Sequence, residues 1–103
     1  MAIRELNIGE LLEIPNEGKL AIMFHLPGHC AGCKVALSNL ENKKLENIEV
    51  VLVNADEEEF KPLIAEYNVT TAPTIIVYEN GAVVGEMRGL KDFLQNHKRL
   101  LGE

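Results

Sequence analysis

Two stretches of this chain are apolar at every position, Leu20-Ala21-Ile22-Met23-Phe24 and Val50-Val51-Leu52-Val53. A strand with one face in water alternates apolar and polar residues, so an unbroken run marks a strand covered on both faces, as at the centre of an α/β sheet. A third apolar run spans Thr74 to Tyr78, and Ile48 starts the second. Each run is too short to cross a membrane as a helix. With 103 residues, 47% of them hydrophobic, the chain holds apolar material for one core and is read as one domain over residues 1–103. Ten basic against sixteen acidic residues leave a formal charge of -6, the wrong sign for a general nucleic-acid binder.

Between the runs the spacing changes to a helical one. From Cys30, the apolar positions Cys33, Val35, Leu37, Leu40 and Leu45 predict a helix of about four turns, with Asn39, Glu41, Asn42 and Lys43 on its outer side. Phe60, Leu63, Ile64 and Tyr67 predict a second helix, entered through Glu57-Glu58-Glu59, a solvated acidic start that complements the helix dipole. Leu90, Phe93, Leu94, His97, Leu100 and Leu101 predict a closing amphipathic helix. Near the start, Ala2 to Leu6 reads as a short edge strand, and Ile8, Leu11 and Leu12 as a helix ended by Pro15 and Gly18. Asn80-Gly81 is a hairpin signal with Ala82 to Met87 as the return strand. The order is βα-βα-βα-ββα, in which the crossovers pair parallel and the hairpin antiparallel, so a mixed sheet lies between helices.

The only two cysteines stand in His29-Cys30-Ala31-Gly32-Cys33-Lys34, after the first apolar run and a Pro27-Gly28 turn. At the mouth of a helix, free N–H groups and the dipole favour thiolate over thiol, and the thiolate is the species that attacks a disulfide. Two residues between the cysteines on a first helical turn bring the sulfurs within bonding reach, so one can attack a partner and the other release it. Cys-x-x-Cys also serves zinc, but a structural site wants four ligands, and His25 and His29 are too close in sequence to complete one, so no metal is expected. No basic segment leading into an apolar one opens the chain, so no secretory signal is visible and a cytoplasmic location is expected. In that reducing compartment a catalytic pair is commoner than a structural disulfide.

Cys30-Ala31-Gly32-Cys33, the strand end Val51-Leu52-Val53-Asn54-Ala55-Asp56, Thr71-Ala72-Pro73-Thr74 before an apolar strand, and Asn80-Gly81 with Gly89 before the last helix occur in an order that resembles the thioredoxin family over essentially the whole chain. The resemblance implies a thioredoxin fold, a three-layer α/β/α domain with a central mixed five-stranded sheet and about four helices. It implies a protein-disulfide reductase with Cys30 as exposed nucleophile and Cys33 as buried resolving thiol. No cofactor beyond that dithiol is implied. Pro73 would be a cis-proline facing the dithiol, leaving the backbone of Ala72 to pair with an extended substrate, with Gly89 beside the same groove. Implied partners are disulfide-containing client proteins and a thioredoxin reductase, with the chain a monomer bound to neither nucleic acid nor membrane.

The departures concern the helpers. His29 stands where the family usually has an aromatic residue in the docking surface, and the chain has no Trp. The family's usual buried Asp and its Lys align with Phe24 and Leu52, two apolar residues expected simply to pack in place of an ion pair, so that Phe24→Asp is expected to destabilise the fold unless Leu52→Lys is added. His29 is then a candidate to stabilise the thiolate or carry a proton. His25 alternates to the face opposite Phe24, toward the active-site loop, where a packed bystander is the plainer reading. The alternatives carried forward are a non-catalytic adaptor binding peptides, an oxidase or isomerase, and a glutaredoxin-like variant.

Overall fold

The computed structural model describes residues 1–102. Five strands form the sheet: β1 (Ala2–Glu5), β2 (Lys19–His25), β3 (Ile48–Asn54), β4 (Thr74–Glu79) and β5 (Ala82–Arg88). They lie in the order β1-β3-β2-β4-β5. β3 pairs parallel with both β1 and β2, while β4 pairs antiparallel with β2 and β5. The two unbroken apolar runs thus sit on the central strands, and the Asn80-Gly81 turn sets the antiparallel edge. Asn80 and Gly81 both take positive φ, 52° and 86°, as a tight hairpin turn requires.

Helices α1 (Ala31–Glu41) and α3 (Leu90–Leu101) cover one face, where Cys33, Ala36, Leu40, Phe93 and Leu101 pack on Ala21, Met23, Val50 and Leu52. On the other face Leu20, Ile22, Phe24, Val51 and Val53 pack under Leu6 and Phe60. A 3₁₀ turn (Glu58–Phe60) there runs into the short helix α2 (Lys61–Glu66), whose Leu63 and Ile64 join from the edge together with Leu12 and Ile14. Helices thus flank a mixed five-stranded sheet on both sides.

Three expectations change. The segment holding Ile8, Leu11 and Leu12 forms no helix; Gly9 turns at φ 86°, and Ile8 and Leu11 are exposed. Glu10 holds that turn by accepting from the Asn7 N–H and pairing with Arg4 at 2.8 Å, so among the described residues there are three α-helices and one 3₁₀ turn rather than about four helices. α1 stops at Glu41, short of Leu45, and α2 ends before Tyr67. Finally, Phe24 and Leu52 do not face one another, as a rescue of Phe24→Asp by Leu52→Lys requires. The register sets Phe24 opposite Val53 and Met23 opposite Leu52, so alternation puts Phe24 and Leu52 on opposite faces of the sheet.

Candidate functional site

The site lies at the C-terminal end of β2, where the chain leaves the sheet through Pro27-Gly28 and re-enters as α1. Cys30 is the N-cap of α1, in extended conformation at φ -136°, ψ 100°. Its Sγ accepts the Cys33 N–H at 3.1 Å, which places the sulfur on the positive end of the helix. Cys30 and Cys33 are joined as a disulfide with their Cα atoms 5.2 Å apart. Cys30 is half-buried and Cys33 is buried at 3% exposure, so only the first sulfur of the pair faces a partner.

Gly32 lets a second element approach. A Cβ there would lie 3.4 Å from Cδ of Pro73 and 3.3 Å from Cβ of Leu90, so α1, the loop before β4 and α3 meet at this glycine. Pro73 is buried and the Ala72–Pro73 peptide bond is cis. The Gly89 N–H donates to the Pro73 carbonyl at 2.7 Å, and Thr74 Oγ1 donates to the Thr71 carbonyl at 2.7 Å. A Cβ on Gly89 would have no atom within 4 Å; its φ of 91° is what calls for glycine. Beside this loop an open cavity of about 270 Å³ is bordered by Phe24, Leu26, Val69 and Ala72.

His29 is exposed, and its Nε2 lies 2.7 Å from an Asp56 carboxylate oxygen. That carboxylate comes from the turn after β3, where the Asp56 N–H donates to the Asn54 side chain at 2.9 Å. Asp56 is thus part of the site, although the sequence reading took it only as a strand end. His25 is the second omission as a site residue. It is buried on the Cys33 side of the sheet and borders, with Cys33 and Leu52, a cavity of about 310 Å³. Strand alternation gave its face, but the cavity depends on where β1 and the α1 entry loop pass, which periodicity does not encode. His97 lies away from the dithiol on α3, buried and stacked on Phe93 with ring centroids 4.9 Å apart.

The thioredoxin family model matches residues 12–98. A thioredoxin of Echinococcus granulosus is 32% identical over 85 residues, 82% of this chain and 79% of that protein. The mitochondrial thioredoxin of Mus musculus is 30% identical over 80 residues, 77% of this chain but 48% of that protein. Among solved structures, the reduced thioredoxin pre-protein of Schistosoma mansoni aligns with a TM-score of 0.71 at 25% identity, covering 97% of this chain and 99% of that one. The thioredoxin f2 of Chlamydomonas reinhardtii shares the fold at a TM-score of 0.74 and 22% identity, covering 95% and 94%. The chain belongs to the thioredoxin family. Its bonded Cys30-x-x-Cys33 pair makes it a thiol-disulfide oxidoreductase.

Proposed function

We propose that the protein acts as a reductant of disulfides in partner proteins, with Cys30 as nucleophile and Cys33 as resolving thiol. The observation that carries the reading is the unequal exposure of two bonded sulfurs on one helical turn, with the outer one at the N-cap. The reduced Cys30 thiolate attacks a partner disulfide, a mixed disulfide forms, and Cys33 attacks Cys30 so that the partner leaves reduced and the pair is oxidised. Ala72, Pro73 and Gly89 form the wall against which an extended client segment lies, and His29 at its rim meets the client beside Cys30. The apolar border of the cavity at Leu26, Val69 and Ala72 suits a client side chain. A dithiol so poised fits the reducing cytoplasm, where a reductase of the thioredoxin type recharges it, and the protein works there as a single-domain monomer without further cofactor. No helix among the described residues is long and apolar enough to cross a membrane.

Insulin reduction driven by dithiothreitol tests this. The wild-type protein is expected to accelerate insulin precipitation and Cys30→Ser to abolish the acceleration; no acceleration by the wild type would leave only a peptide-binding adaptor. Equilibration with glutathione sets the direction: a potential below about -200 mV fits a cytosolic reductant, and a higher one an oxidase or isomerase.

A further inference from the structure

Cys33 must lose a proton to attack Cys30, yet it is 3% exposed. Burial in apolar surroundings holds a thiol protonated, so the resolving step needs a base within reach of that sulfur. The cavity of about 310 Å³ beside Cys33 is bordered by three ionisable side chains, Glu5 of β1, His25 of β2 and Lys34 of α1. Lys34 brings a cation and Glu5 is largely in solvent, its side chain 60% exposed. His25 is 5% exposed, and its Nε2 is buried with no hydrogen-bond partner. That atom lies 3.6 Å from Glu5 Oε1. The His25 carbonyl accepts the Ala55 N–H at 2.8 Å, which fixes the strand end that carries the ring.

We propose that His25 takes the Cys33 proton across this cavity during release of the partner. The inference deepens the exchange reaction proposed above and rests on it. The cavity exceeds the roughly 30 Å³ share of a water molecule, so a solvent relay fits between thiol and imidazole. The Cys33 thiol gives its proton to the imidazole, and the thiolate forms the Cys33–Cys30 bond as the Cys30–partner bond breaks. The partner sulfur departs with the electron pair and is protonated by the imidazolium or by water. Desolvation holds the imidazole below its ordinary value, which keeps it a neutral acceptor, while the Glu5 and Asp56 carboxylates favour the imidazolium once formed.

Reduced protein mixed with excess dithionitrobenzoate separates the two steps. Cys30 releases one thionitrobenzoate in a reagent-dependent phase, and Cys33 releases the second in a phase independent of reagent concentration. His25→Gln and His25→Phe are expected to slow the second release about 100-fold at neutral pH and leave the first nearly unchanged. In the wild type the second rate levels off above the imidazole titration, whereas in the variants it keeps rising into the alkaline range where the buried thiol itself ionises, and added imidazole restores it. A folded His25→Gln with the wild-type second rate and pH profile overturns the proposal. Should the His25 variants fail to fold, Glu5→Gln gives the second reading, because loss of that carboxylate is expected to move the acid limb of the second release to lower pH. An unmoved limb overturns the proposal too. Absence of both releases in the wild type would instead remove the exchange reaction on which it rests.

Discussion

Phe24 is 0% exposed and packs among Leu20, Ile22 and Val53, with its ring 5.7 Å from that of Tyr67. Phe24→Asp removes that packing and sets a carboxylate in an apolar site, an expected loss of at least about 3 kcal/mol. Leu52→Lys does not restore it, because Leu52 faces the helices on the far side of the sheet. Urea denaturation of the two single variants and the double variant checks this, and rescue in the double variant would contradict the register. Asp56 acts differently. Its pairing with His29 is in solvent, so Asp56→Asn is expected to change stability by less than about 1 kcal/mol. The same variant removes the carboxylate charge paired with the His29 ring, next in sequence to the nucleophile, and the first thionitrobenzoate release, set by Cys30, is the rate expected to change. An Asp56→Asn protein with that rate intact would make the pair a surface contact only.

Among the elements, α1 and the segment before β2 show the two ways an apolar residue can be placed. Leu40 of α1 is 0% exposed in the core, whereas Leu11 is 83% exposed. Leu40→Ala is expected to cost about 2–5 kcal/mol and Leu11→Ala less than about 0.5 kcal/mol, read from thermal or urea unfolding. A comparable loss at Leu11 would mean that the segment is packed after all. The contrast also explains what the sequence disclosed. The central strands, the hairpin and the cysteine helix were legible because continuous apolar runs, Asn80-Gly81 and the Cys-x-x-Cys spacing are each enforced by local chemistry. Ile8, Leu11 and Leu12 have helical spacing too, yet Gly9 turns within them, and only Leu12 reaches the core while Ile8 and Leu11 stay exposed. The resemblance aligned Phe24 and Leu52 as partners, but alternation along paired strands separates them and leaves His25 on the dithiol side. Asp56 and His29 meet only through the folded loops, so no spacing rule announced their contact.

Across the whole molecule, burial of His25 links stability to pH. Desolvation lowers its affinity for a proton in the folded state, against the opposing pull of Glu5 and Asp56. The unfolded chain therefore binds a proton near the ordinary ~6.5 while the folded chain remains neutral until lower pH. The associated stability is whole above about 6.5 and is lost as pH falls from there toward the lowered folded value. Melting temperatures across this window are expected to fall more for the wild type than for His25→Gln, and parallel curves would contradict a neutral buried imidazole. The same burial serves the exchange reaction, since the fold that keeps His25 uncharged also puts it on the cavity beside Cys33.

The division of labour between the two sulfurs is tested most directly by trapping. Cys33→Ser and Cys30→Ser proteins, each incubated with a disulfide-containing client such as insulin, are analysed by non-reducing mass spectrometry. The expected result is a stable mixed disulfide through Cys30 in the Cys33→Ser protein and almost none in the Cys30→Ser protein. Equal trapping through Cys33, or no adduct on Cys30, would contradict the assignment of Cys30 as nucleophile and Cys33 as the thiol that releases the client.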